Sequence, residues 1–108
     1  MTLLEISARE LNESLKQATG PCLIDCREPW ENEHACLPGS TLVPMNDTPN
    51  RLEELRQMEG QLVVYCHHGI RSRQVVEWLH AQGLTNSRSL AGGIDAWSLE
   101  IDPEIPRY

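Results

Sequence analysis

Residues 61–83 read "QLVVYCHHGIRSRQVVEWLHAQG". An apolar run, "QLVVYC", passes through a short loop into a segment whose Val75, Val76 and Leu79 recur at helical spacing, with Gly83 as its stop. The run is apolar without alternation, as a strand buried on both faces would be. A buried strand followed directly by a helix is the repeating unit of a parallel sheet. In open sheets of that kind, sites form at the carboxyl ends of the strands. Cys66 stands at such an end, and a helix predicted over 71–82 begins five residues later.

The rest of the chain repeats the alternation. "LLEIS" (3–7) is a first strand, and "SARE" (7–10) has the capping-box spacing, opening a helix to about Ala18 that "TGP" stops. "CLID" (22–25) is a second buried strand, and "EPWENEHA" (28–35) is a short helix with Pro29 in its first turn. After the turn "LPGS", "TLVP" (41–44) is a third strand, and "NRLEELRQMEG" (50–60) is a helix capped by Asn50 and stopped by Gly60. "SRSL" (87–90) is a last strand, and "AGGIDAWSL" (91–99) is a glycine turn into a helix. The expected fold is α/β: one domain over residues 1–108, with a mainly parallel five-stranded sheet and helices on both faces. Asp25 and the Gly92–Gly93 pair share the carboxyl-end side with Cys66.

The loop "CHHGIR" invites a specific chemistry. If its backbone curls around the cysteine sulfur, successive amides form an anion nest, and the following helix adds the positive end of its dipole. Such surroundings favour thiolate over thiol. Gly69 lets the backbone turn, Ser72 is positioned to cap the helix, and Arg71 and Arg73 add positive charge. Cysteine phosphatases use a similar cradle with one residue more between cysteine and arginine. A tighter ring suits a single added sulfur better than a tetrahedral oxyanion.

Composition sets outer limits. The net charge of −7 and pI near 5.0, with no basic run, argue against nucleic acid and anionic membranes as partners. No apolar run approaches the roughly 20 residues that span a bilayer, and the charged start "MTLLEISARE" is unlike a signal peptide. The expected location is the cytoplasm, where Cys22, Cys26, Cys36 and Cys66 are read as thiols.

Three motifs together resemble the single-domain rhodaneses, a family of sulfurtransferases. "LIDCREPWENEHACLPGS" (23–40), "VVYCHHGIRS" (63–72) and "LAGGIDAW" (90–97) are similar to the family's first signature, active loop and last signature, and the tail "DPEIPRY" is similar both to the end of its bacterial members and to the rhodanese-like domain that closes some sulfur-carrier-activating enzymes. The resemblance implies Cys66 as nucleophile and persulfide carrier. It implies that the amides of His67, His68, Gly69, Ile70, Arg71 and Ser72 hold the persulfide, and that Asp25 and Arg27 brace adjoining loops. It implies thiosulfate or a persulfide as donor and a thiol, cyanide or a protein as acceptor, without metal or organic cofactor. Cys26, where the family often has an aliphatic residue, and "HAC" in place of His-x-Ile depart from the pattern.

Plainer readings stand beside these. Cys22, Cys26 and Cys36 read as structural, with a resolving thiol the minor alternative for Cys26. Adjacent histidines converge poorly on one metal ion, so His67 and His68 read as loop residues that gain charge as pH falls. Asp25 and Arg27 could be an ordinary surface pair. Trp30, Trp78 and Trp97 read as core or pocket wall. Arg71 is expected to aim its fork at the sulfonate of thiosulfate, with pairing to a nearby carboxylate as the alternative. A small phosphatase, an arsenate reductase and a non-catalytic binding module are the competing functions.

Overall fold

The computed structural model describes residues 4–108. Five strands, β1 (Glu5–Ile6), β2 (Cys22–Asp25), β3 (Thr41–Leu42), β4 (Leu62–Tyr65) and β5 (Ser87–Leu90), alternate with helices α1 (Ala8–Leu15), α2 (Pro29–His34), α3 (Leu52–Gln57), α4 (Ile70–Ala81) and α5 (Gly93–Glu100). The strands form one sheet in the order β1-β5-β4-β2-β3, and every pairing is parallel. The α/β fold with a five-stranded parallel sheet is therefore as expected.

The period of two along each strand divides the apolar residues between two layers. Val63 and Tyr65 of β4 pack with Leu11 of α1 and with Ile94 and Trp97 of α5. Leu62, Val64 and Cys66 pack on the other face with Leu55 of α3 and with Val75, Val76 and Leu79 of α4. All four residues of β4 are fully buried, which explains the unbroken apolar run.

Local chemistry sets several boundaries. Ser7 Oγ accepts from the Glu10 amide at 3.1 Å and Glu10 Oε1 accepts from the Ser7 amide at 3.3 Å, so the capping box forms. α1 ends at Leu15, short of Ala18, because its last turn tightens: the Lys16 and Gln17 amides bond the carbonyls three residues back. β1 and β3 are shorter than the sequence suggests, and Leu3 lies outside the described residues. Beyond Leu42 the backbone still bonds β2 through the Val43 amide to Asp25 O, but Pro44 has no amide to give. Asn50 does not cap α3. It lies inside a 3₁₀ turn, Met45–Arg51, that runs into the helix, and its side chain donates to Asp47 at 3.3 Å. α4 starts at Ile70, one residue early, with Gly69 as its N-cap at φ 99°, so Ser72 lies within the helix and does not cap it. Trp97 is buried and Trp78 half-buried, but Trp30 is 62% exposed and lies outside the core, its ring set edge-on to Tyr108.

Candidate active site

Cys66 follows β4 directly and is 1% exposed. The loop after it folds back, and the Gly69 and Ser72 amides donate to its sulfur at 3.1 and 3.3 Å. Of the six loop amides, these two reach Sγ. Ser72 Oγ stands 3.4 Å from the sulfur and is itself held by Ser89 Oγ of β5 at 2.7 Å. The Cys66 thiol is held down to about 4: the Cys26 thiol donates to its ionised form, burial opposes, and the Ser72 hydroxyl and the Ser72 and Gly69 amides add to the lowering. Cys26 moves the opposite way. The adjoining Cys66 and burial both hold its thiol protonated. The pair thus has one reactive member at neutral pH, and it is Cys66.

The loop is pinned from β5's end. The Ile94 and Asp95 amides donate to the carbonyls of Cys66 and His67 at 2.9 and 3.1 Å. Gly93 lies directly against those carbonyls at φ 64°, and a Cβ there would overlap both. The glycine pair is thus more than a tight turn, because it lets α5 approach the loop closely enough to bond it.

Arg71 faces a carboxylate. Its Nη1 and Nη2 donate to Glu31 Oε1 and Oε2 at 2.8 and 2.9 Å, and the Glu31 side chain is 4% exposed. This corrects the expectation that the fork is free for a sulfonate: both prongs are taken, the alternative arrangement. Arg71 draws the Glu31 carboxyl down to about 2 against the effect of burial, with further bonds from Tyr108 and the Glu28 amide. Tyr108 donates to Glu31 Oε2 at 2.6 Å and accepts from Arg27 Nη1 at 2.7 Å. Arg27 in turn grips Asp25 through Nε and Nη2, both at 2.8 Å. Both side chains of that pair are 0% exposed, so it is no surface pair. Asp25 also accepts from Asn32 Nδ2 at 2.9 Å, and Arg27 donates to Ala35 O. One chain of charged hydrogen bonds therefore runs from the end of β2 through Tyr108 to the active loop.

His67 stacks between His68 and Tyr108, each at 3.9 Å between ring centres. Burial, then the neighbouring His68, hold its imidazole below the usual range, so it gains charge later than expected as pH falls. The two histidines do converge with Asp95: their ligand atoms lie within 4.8 Å of one another, although Asp95 already accepts from Arg107 at 2.8 and 3.4 Å. Arg73 points away from the sulfur to Glu5 and Glu77, both at 3.4 Å.

Glu31, Tyr108 and Ser89 were not singled out from the sequence. Glu31 lies in "EPWENEHA" among other acids, and nothing in its spacing separates a buried carboxylate from solvated ones. Tyr108 is remote in the chain, and only the tail's resemblance pointed to it.

Known proteins share this sequence pattern and this fold. A family model described as a rhodanese-like domain matches residues 7–100. A chloroplastic rhodanese-like/PpiC domain-containing protein of Arabidopsis thaliana is 42% identical over 90 residues, covering 80% of this chain and 30% of its own length. A protein of Allochromatium vinosum named sulfurtransferase is 33% identical over 94 residues, covering 87% of each. The crystal structure of a rhodanese-related protein from Thermoplasma volcanium superposes with a TM-score of 0.83 at 30% identity, covering 97% of this chain and 99% of that one.

Proposed function

This chain belongs to the rhodanese-like domain family, and from that premise we propose that it moves a sulfane sulfur through a persulfide on Cys66, residues 1–108 acting as one catalytic unit. The observation that carries the reading is a buried sulfur that accepts from two backbone amides and has a hydroxyl within 3.4 Å. The reaction is a double displacement. The Cys66 thiolate attacks the outer sulfur of thiosulfate or a persulfide donor, the S–S bond breaks, and sulfite or a thiolate leaves with its electron pair. A nucleophilic acceptor, thiolate or cyanide, then attacks the outer sulfur and returns the thiolate. Neither step needs a metal or an organic cofactor. The Gly69 and Ser72 amides hold the inner sulfur, and the remaining loop amides, from His67, His68, Ile70 and Arg71, surround the added one. The short loop argues against a tetrahedral phosphate or arsenate as substrate, and the retained nucleophile argues against a binding module.

Intact mass before and after thiosulfate tests this reading. The expected result is a gain of one sulfur atom, reversed by cyanide. No gain rejects the persulfide mechanism.

The ionisation has its own test. A thiol held at about 4, against an ordinary value of about 8.5, is already ionised throughout the neutral range. In a variant with Ala at Cys22, Cys26 and Cys36, the iodoacetamide rate should stay flat across neutral pH and fall on acidification below a depressed midpoint. Removing Cys26 takes away the largest lowering contribution, so this midpoint lies above that of the native chain but still below the ordinary thiol value, because the amides and Ser72 remain. A midpoint at or above the ordinary value rejects the cradle as the cause.

Arg71 acts in this scheme as a brace. Arg71→Ala leaves the nearly buried Glu31 with Tyr108 and the Glu28 amide as its partners among the described residues, at about 1–3 kcal/mol of stability. Transfer from thiosulfate and from a neutral organic persulfide should fall by the same factor, and the melting temperature should drop. A loss confined to thiosulfate would instead make Arg71 the sulfonate anchor.

A protein acceptor is the second reading. Ile70 and Trp30, neighbours in sequence of the paired Arg71 and Glu31, are 72% and 62% exposed. Large apolar side chains left in water beside a site favour an acceptor with a surface of its own. The cytoplasm is the proposed location. Among the described residues no helix is long and apolar enough to cross a membrane.

A further inference from the structure

One thiol beside the nucleophile helps to ionise it but forms no bond to the transferred sulfur in the double displacement. Cys26 follows β2 as Cys66 follows β4, and the two strands are paired in parallel with Ile24 opposite Val64 and Asp25 opposite Tyr65. The Cys26 amide extends that ladder by donating to Tyr65 O at 3.1 Å. The next residues in register are Cys26 and Cys66. Both are 1% exposed, and both belong to the apolar layer formed with α4. They therefore stand abreast on the same face of the sheet. Neighbouring strands run about 4.8 Å apart, within the roughly 4.4–6.8 Å that a disulfide spans between Cα atoms.

We infer that Cys26 is a resolving thiol: when no acceptor arrives, it attacks the inner sulfur of the Cys66 persulfide, closes a Cys26–Cys66 disulfide and expels the outer sulfur as hydrosulfide. The inference rests on the persulfide reading above. The step balances without a further reactant. A persulfide anion and a thiol become a disulfide and HS⁻: the outer S–S bond breaks, the Cys26–Cys66 bond forms, and the Cys26 proton leaves on the departing sulfur. The outer sulfur gains two electrons, and the two cysteines lose them together. Reduction by an external dithiol restores both thiols.

The surroundings make this a slow reserve path. Thiolates, not thiols, are the effective nucleophiles, and Cys26 is kept protonated beside Cys66. An incoming acceptor thiolate therefore outruns it. Only a persulfide left unused meets Cys26, and the domain then discharges as free sulfide.

The test uses a chain with Ala at Cys22 and Cys36, loaded with thiosulfate, freed of excess donor and incubated without acceptor. The expected course is loss of the added sulfur, about one equivalent of sulfide released, and a mass two hydrogens below the reduced protein. Both cysteines should resist alkylation until a dithiol is added. In Cys26→Ser, and in Cys26→Val as a packing control, the added sulfur should persist and sulfide should fall at least tenfold. A persulfide that lasts equally long with and without Cys26 overturns the inference alone, as does sulfide release without a disulfide. Failure of both the parent chain and folded Cys26→Ser to take up any sulfur or release any sulfide overturns the persulfide reading and the inference with it.

Discussion

Cys66→Ser is expected to reduce sulfur transfer by a thousand-fold or more, on the order seen when the nucleophile of a covalent mechanism is removed. A serine hydroxyl does not ionise near neutral pH, and its oxygen does not accept a sulfane sulfur. The two amides and the Ser72 hydroxyl around the sulfur can bond the smaller hydroxyl oxygen as well, so the variant should fold. Thiocyanate formation from thiosulfate and cyanide measures the loss. Alanine at Cys22, half-buried and donating to Glu59 O at 3.6 Å, or at exposed Cys36, should leave most of the rate. Full activity in Cys66→Ser would end the mechanism.

Asp25→Ala should have the largest effect on stability. Asp25 and Arg27 are wholly shielded from water, and the guanidinium has no other carboxylate within reach among the described residues. Burial pushes the Arg27 proton off while Asp25 and Tyr108 hold it on, and the net effect keeps the side chain charged. Without Asp25 an unpaired cation is left inside, at about 3–5 kcal/mol. That is a large share of the roughly 5–15 kcal/mol that holds a small domain together. Urea denaturation monitored by tryptophan fluorescence would measure it. The loop should also loosen, since Arg27 holds Tyr108, and Tyr108 holds Glu31. Asp25→Leu with Arg27→Met should recover much of the stability but not the activity. A cost below 1 kcal/mol for Asp25→Ala would mean that water or a rearranged Glu31 takes over the charge.

The fold was legible because its strands are short, apolar and unbroken. "VVYC" and "LID" have no other comfortable place than the middle of a parallel sheet. The capping box over Ser7 and Glu10 was equally legible, being a local contact with a fixed spacing. Boundaries that depend on distant partners were not. Asn50 has the composition of a cap, but the turn from Met45 starts earlier and takes it inside. Ser72 looked like a cap for the same compositional reason, whereas Gly69 at positive φ carries the backbone into the helix first. The site divides along the same line. Cys66, Gly69 and the glycine pair stand in local motifs. The partner of Arg71 does not, because Glu31 reaches it across 40 positions of sequence and Tyr108 closes the link across 77. A sequence read along its length offers no signal for which of several acids turns inward.

The strand order has a consequence for synthesis. β5 is the last strand made, yet it lies between β1 and β4, and the α5 amides that pin the Cys66 and His67 carbonyls emerge just after it. A nascent chain that has released only the residues up to α4 holds a gap in its sheet and no staple on its loop. Cys26, Gly69 and Ser72, the groups that act on the sulfur, are already made, but the carbonyls of Cys66 and His67 are unpinned. Chains leave the ribosome at about 5–20 residues per second, so this interval lasts for seconds. The loop is locked only when the last quarter of these residues, those after Ala81, has been threaded into the sheet, so the groups that hold the sulfur are made before the clamp that fixes them.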